Sequence, residues 1–209
     1  MNSTPDSSIT IDHKRDLKGR ICPLPFASME LHLDEGTYVC CPSWMKKSVG
    51  NFYQNDILDI WNSQSAQDIR ESILDGSYRY CNHEACPYIQ GGTLPTFWQL
   101  DKAVQDDVEN KRTVLNRPPQ SVMFTFDSSC NLSCPSCRPE KNSLTADSPV
   151  YKKLNELCHS ITEKLLKDPN AHVRVNISGS GDPFASLAFR HYLEQIEGEK
   201  YPNLIFDLQ

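Results

Sequence analysis

The stretch 126-FDSSCNLSCPSCRPE-140 places Cys130, Cys134 and Cys137 at the spacing C-x3-C-x2-C. It leaves a strand-like run, "SVMFTF" (121–126), and precedes a strong helix signal, "DSPVYKKLNELCHSITEKLLKD", with Ser148 at the cap and Pro149 at the first helical position. Val150, Leu154, Leu157, Ile161 and Leu165 recur at helical spacing and predict one apolar face. "HVRVNIS" reads as a second strand, "GSGDPF" as a turn, "ASLAFRHYLEQIEG" as a second helix and "NLIFDL" as a third strand. Strands and helices that alternate through short connections predict parallel strands with right-handed crossovers, an α/β fold. Chemistry in such folds gathers at the C-terminal ends of the strands, and the cysteine loop falls at such an end.

The surrounding composition narrows the function classes. The chain has 209 residues, room for one large domain or two small ones, with 38% hydrophobic and 23% charged residues. A formal charge of -6 offers no basic surface for a phosphate backbone, so nucleic acid is not an expected partner. No apolar run approaches the roughly 20 residues of a membrane span, and the opening "MNSTPDSSITIDHKRDLKGR" is polar throughout. A cytoplasmic, reducing location is therefore expected. Nine cysteines in that setting point to metal ligands or catalytic thiols rather than to disulfides.

Three thiolates on one short loop hold three irons of a cubane [4Fe–4S] cluster and leave the fourth iron open. Zinc competes, but structural zinc takes four closed ligands, usually in two separated pairs, and would need a further His or Cys from elsewhere. Three unligated thiols on a polar loop would oxidise. Spacing and placement favour the cluster.

Upstream, residues 1–19 read as a flexible tail and "ASMELHLDEGTYVCC" as a hairpin, with Gly36 supplying the positive φ of its turn. Two helices follow: "NDILDIWN", capped by Asn55 or Asp56, and "SAQDIRESILDG", from Ser65 to Gly76. Gly91-Gly92 marks a domain edge, and "FWQLDKAVQDDVENKR" is a bridging helix ended by Pro118 and Pro119. Five cysteines lie here: Cys22, Cys40, Cys41, Cys81 and Cys86. Four of them gathered from a hairpin and a loop close a tetrahedral or cubane site, which would also staple a region with little core. Iron–sulfur and zinc are both open for this site.

Other striking residues take plain readings. Cys158, beside Leu154, Leu157 and Ile161, is expected as a buried structural thiol. His159 and His191 are surface or packing residues, Trp44, Trp61 and Trp98 fill the cores around the N-terminal cysteines, and "DDVE" (106–109) is a solvated helix face.

The loop resembles that of the radical S-adenosylmethionine (SAM) superfamily, which carries C-x3-C-x2-C after its first barrel strand. "SGSGDPF" is similar to that family's Gly-Gly-Glu-Pro motif, placing Ser180, Gly181, Asp182 and Pro183 against the methionine end of SAM. Ser136 stands where the family often has an aromatic near the adenine. The resemblance implies that Cys130, Cys134 and Cys137 are the catalytic cluster ligands and that SAM chelates the fourth iron. Reduction by a one-electron donor such as flavodoxin or ferredoxin would cleave SAM to a 5′-deoxyadenosyl radical that abstracts hydrogen from substrate. A second resemblance covers the N-terminal cysteines. Cys22, the hairpin with Gly36-x4-Cys41, the "IWNS…R…I" segment and Cys81-x4-Cys86 are similar to the SPASM/twitch domain. It implies an auxiliary iron–sulfur cluster on Cys22, Cys41, Cys81 and Cys86, with Cys40 as substitute for Cys41 and His83 for one of the last pair.

The implied fold is the N-terminal part of a radical SAM partial (β/α)6 TIM-like barrel, preceded by a small α+β cysteine-rich SPASM-like domain. The expected units are a tail (1–19), the auxiliary cluster domain (20–92), a linker (93–118) and the first three strands of the radical SAM domain (119–209). The sequence reaches only the third strand, so it is expected to be a fragment or a split subunit. A remaining barrel chain would complete it, and alone it should be poorly stable and catalytically weak. Two functions compete: a radical SAM enzyme acting on a peptide or small-molecule substrate, and a non-catalytic metal-stapled scaffold whose SAM site is degenerate.

Overall fold

The computed structural model describes residues 16–177 and 180–209. Residues 1–15 of the expected tail, and Ser178 and Gly179 of the "SGSGDPF" turn, lie outside the described residues. In chain order the elements are α1 (Leu24–Ala27), β1 (Ser28–His32), β2 (Gly36–Tyr38), β3 (Gly50–Asn51), α2 (Ile57–Trp61), α3 (Gln64–Leu74), α4 (Pro87–Gln90), α5 (Lys102–Glu109), β4 (Ser121–Thr125), α6 (Pro149–Leu165), β5 (Val173–Ile177), α7 (Leu187–Gln195) and β6 (Leu204–Leu208).

The six strands form one sheet in the order β3-β2-β1-β4-β5-β6. β1, β4, β5 and β6 run parallel, and α6 and α7 make the crossovers between the last three, as the strand–helix alternation predicts. The hairpin is also as expected, with β2 and β3 antiparallel at its edge. Its first strand, however, pairs with β4 over Ser28↔Ser121 to His32↔Thr125, so the sheet runs across the boundary expected between two units. That pairing joins residues more than ninety positions apart, which no local pattern signals.

Local chemistry explains the elements. Asp56 caps α2 by accepting from the Leu58 amide at 2.8 Å, and Ser63, rather than Ser65, caps α3 by accepting from Ala66. The bridging helix is shorter than the sequence suggests, because Asp101 caps it at both the Ala103 and Val104 amides and residues 97–99 form a separate 3-10 turn. In the hairpin the positive φ falls on Glu35 (64°) instead of Gly36. Gly36 leaves room for a side-chain contact: a Cβ there would lie 2.7 Å from the Tyr38 ring and 2.9 Å from Asp34, whose carboxylate accepts from the Tyr38 hydroxyl, and would push these side chains aside.

The core between the sheet and helices α6 and α7 is aromatic: Phe124 lies against Phe126, Phe189 and Tyr192. Leu154, Cys158, Ile161 and Leu165 of α6 are buried, with Cys158 fully so, whereas Val150 at the first turn is 53% exposed and leaves the apolar face one residue short. Trp61 is buried but Trp98 is 83% exposed and fills no core. Asp107 departs from the expected solvated run, being buried and ion-paired to Arg117 at 2.8 Å and Arg112 at 3.4 Å. No helix among the described residues is long and apolar enough to cross a membrane.

Arg70 of α3 is the hub of the N-terminal half. Fully buried, its guanidinium stacks on Trp61 and donates to the carbonyls of Pro25, Trp61 and Thr113 at 2.7–2.8 Å. Those carbonyls belong to α1, α2 and the segment after α5. Replacing Arg70 with Met keeps the volume and strands the three acceptors. The expected loss in the metal-free chain is about 3–5 kcal/mol, read as a lowered urea midpoint at unchanged slope; a change below about 1 kcal/mol would refute the hub role.

Candidate metal centres

The loop after β4 is built on Asp127. Its buried carboxylate accepts from the Ser129 amide at 2.8 Å, the Ser129 hydroxyl at 2.7 Å and the Ser186 hydroxyl at 2.5 Å. Ser186 in turn caps α7 by accepting from the Phe189 amide. The loop then doubles back, with Cys130 and Asn142 exchanging main-chain hydrogen bonds and the Cys137 amide closing a turn onto the Cys134 carbonyl at 2.9 Å. Cys134 and Cys137 are exposed and Cys130 half-buried.

The turn after β5 is pressed against this loop. A Cβ at Gly181 would overlap the Ser129 carbonyl oxygen and sit 2.9 Å from the Ser128 carbonyl carbon, so only glycine fits. The Asp182 amide donates to that same Ser129 carbonyl at 2.8 Å. Cys130, Cys134, Cys137, Arg138, Ser180 and Gly181 together line an open cavity of about 200 Å³ at the C-terminal ends of β4 and β5. Asp182 and Pro183 stand behind it: the Asp182 carboxylate accepts from the Phe184 amide at 2.9 Å, and Pro183 is buried. Ser136 is exposed and outside the lining. The sequence motif thus brings together the three cysteines, Ser180 and Gly181. Asp127, Ser186 and Arg138 carry the loop's geometry without belonging to a recognisable spacing.

The N-terminal cysteines come from three segments. Cys22 follows a short bridge between Arg20 and Thr96, and the Arg20 carbonyl accepts from the buried Tyr78 hydroxyl at 2.8 Å. Cys40 leaves β2 buried, receiving the Trp44 indole N–H at 3.2 Å. The loop carrying Cys81 and Cys86 is tied in by the Asn82 amide, which donates to the Trp44 carbonyl at 2.8 Å. Burial above all, then the charges of Cys40, Cys81 and Cys86, push the Cys22 thiol far above its ordinary range. Burial, with Glu30, Cys81 and Cys86 adding, pushes Cys40 up to about 12 against the Trp44 hydrogen bond; burial and then Cys86 push Cys81 up to about 11. Cys22, Cys40, Cys81 and Cys86 therefore share one electrostatic environment. Cys41 is half-exposed and its carbonyl accepts from the Met45 amide, while His83 lines a different cavity with residues 16–21 and 73–77.

All nine cysteines are free thiols. Among the described residues, no group of three or more His, Cys, Asp or Glu side chains is arranged to hold a metal ion. Thiols are donors that suit a soft metal; Cys22, Cys40 and Cys86 are buried and Cys81 half-buried, whereas Cys130, Cys134 and Cys137 line an open cavity.

Residues 22–87 match the family model of the SPASM iron–sulfur cluster-binding domain. No curated protein and no solved structure matches the chain. The match spans all five N-terminal cysteines, so this part of the chain is similar to an iron–sulfur cluster-binding module.

The raised thiols give the metal-free chain a pH signature. Each is neutral in the folded state well above the unfolded value of about 8.5. Their stabilisation is complete below that pH and is lost as pH rises towards the folded values of about 11 for Cys81 and about 12 for Cys40. In chelator, the urea midpoint should fall steadily above about pH 8.5, and a Cys40→Ser, Cys81→Ser pair should flatten the slope; an unchanged slope would remove these thiols as its cause.

Proposed function

We propose that the chain is a radical SAM protein with two iron–sulfur clusters, a SAM-binding one on Cys130, Cys134 and Cys137 and an auxiliary one on Cys22, Cys40, Cys81 and Cys86. The observation that carries the first is the cavity in which three thiols and the Ser180–Gly181 backbone meet, with no fourth thiol in its lining. Three donors on an open site leave a coordination position for an exogenous ligand, whereas four N-terminal thiols would close theirs. Cys130, Cys134 and Cys137 would hold a four-iron cluster in the loop, which with SAM bound would supply reductive cleavage of SAM for C–H abstraction.

The chain's own residues prepare that chemistry. Asp127 fixes where the loop leaves β4, and Gly181 lets the β5 turn approach within backbone contact of it. Ser180 then offers main-chain and hydroxyl groups to a polar ligand in the cavity. At the other centre, Trp44 donates to Cys40, which favours thiolate at that sulfur. The sequence resemblance put Cys41 in the auxiliary set and Cys40 as its substitute; burial and the shared electrostatics of Cys22, Cys40 and Cys81 favour Cys40. The electron would come from a one-electron donor such as flavodoxin or ferredoxin, and the substrate would be a peptide or small molecule.

Anaerobic reconstitution with iron and sulfide should load about eight irons per chain, with an EPR signal perturbed by SAM. Changing Cys130, Cys134 and Cys137 to Ala should leave about four and abolish the SAM response. Zinc binding with no SAM effect would overturn the reading in favour of a metal-stapled scaffold. Within the auxiliary site, Cys40→Ser should halve the iron while Cys41→Ser keeps it; the reverse result would return the ligand role to Cys41.

A further inference from the structure

Arg138 follows the third loop cysteine and belongs to no motif. Its side chain nevertheless spans the cavity mouth. One terminal nitrogen donates to the Ser128 carbonyl in the loop after β4, and the other to the Ser180 carbonyl in the turn after β5. The same side chain lines the cavity beside all three thiols. The loop and turn already meet through Gly181 and the Asp182 amide on Ser129. Arg138 adds a second tie between them, and it is the one that brings a full positive charge.

We propose that Arg138 is a positioning residue that clasps the cysteine loop to the Ser180 turn and, through its charge, sets the reduction potential of the centre on Cys130, Cys134 and Cys137. This rests on the reading of that loop as a cluster site. Three thiolates give an oxidised cubane a net charge of about -1, and accepting one electron from an external donor takes it to about -2. A fixed cation beside the sulfurs stabilises the more negative state, so it raises the potential. Charge and hydrogen bonding near the sulfurs are the levers by which a protein tunes such centres. Arg suits both tasks, because its planar guanidinium holds two acceptors at once and never deprotonates.

The test uses the full chain, reconstituted anaerobically, with Arg138→Gln and Arg138→Lys beside the unaltered protein. Iron content is measured first, then the midpoint potential by EPR-monitored redox titration of the SAM-responsive signal. Arg138→Gln should keep its iron and shift the reduced-to-oxidised ratio at fixed potential at least tenfold towards oxidised, about 59 mV more negative. Arg138→Lys, which keeps the charge, should recover most of that shift. Loss of loop iron in the Gln variant with retention in the Lys variant would support the same role for the charge. An unchanged potential in Arg138→Gln, equal shifts in both variants, or loss of loop iron in both would overturn it. If the unaltered chain binds no iron in the loop, the cluster reading itself fails and this inference falls with it. Those controls keep the two failures apart.

Discussion

The buried carboxylate of Asp127 is the constraint on which the cysteine-loop end of the sheet depends. It sits where β4 ends and takes three hydrogen bonds, two from Ser129 and one from Ser186 at the start of α7. An ionised carboxylate is costly to bury unless its acceptor sites are filled, and here the fillers are the loop it must shape and the helix that packs beneath it. Ser186 relays the tie by accepting the Phe189 amide, and Phe189 stacks on Phe124 and meets Phe126 edge-on in the core. The position of the cysteine loop is thereby referred to the aromatic core through one chain of contacts. Gly181 completes the fit from the other side, since its bare backbone lies where any side chain would strike Ser128 and Ser129.

The second organising fact is that the cluster-binding module does not hang beside the α/β part. Its first strand lies parallel to β4 over five residues, so the module's hairpin and the strands that carry the cysteine loop form one hydrogen-bonded sheet. Parallel strands need a long crossover, and here the connection from β1 to β4 runs through the hairpin strands β2 and β3 and then α2 to α5. Arg70, holding carbonyls from α1, α2 and the segment after α5, binds that crossover into a body. A buried, unpaired guanidinium would be costly, and the neighbouring charge of Asp107 offsets it, as Asp107 also does for Arg117.

What is legible in the sequence follows the range of the interaction concerned. The strand–helix alternation from 121 onwards, the Asp56 cap and the buried Cys158 are local or periodic signals, and each reads correctly. The pairing of β1 with β4 is a contact across some ninety residues and leaves no local trace. Asp107 looks solvated in the run "DDVE" because its partner Arg117 is ten residues away, beyond the helix end. Cys40 and Cys41 cannot be told apart by spacing: Thr37, Tyr38, Val39 and Cys40 are all buried, so strand alternation gives no choice between them. Gly36 is recognisable as a turn glycine, but what it provides is room for the Tyr38–Asp34 contact, which depends on side chains rather than on turn type. The three loop cysteines are legible as a set because one short segment holds them all, whereas Arg138 and Asp127 act through carbonyls and hydroxyls that no spacing encodes.

The two thiol sets differ in the way that separates a structural site from a reactive one. In the N-terminal set, burial of Cys22 and Cys40 keeps water out and raises the cost of thiolate in the absence of metal. A bound cluster removes that cost by replacing protons with iron, so metal and fold stabilise each other across Arg20, Tyr78 and Trp44. The loop set is the opposite: Cys134 and Cys137 are exposed, the cavity is open, and the surrounding backbone is held by groups outside the cysteine triad. Its geometry therefore does not require a fourth ligand to exist. A site whose walls are fixed by Asp127, Gly181 and Arg138 can keep one coordination position free for a molecule that comes and goes, which a site held together by its own metal cannot do without losing shape.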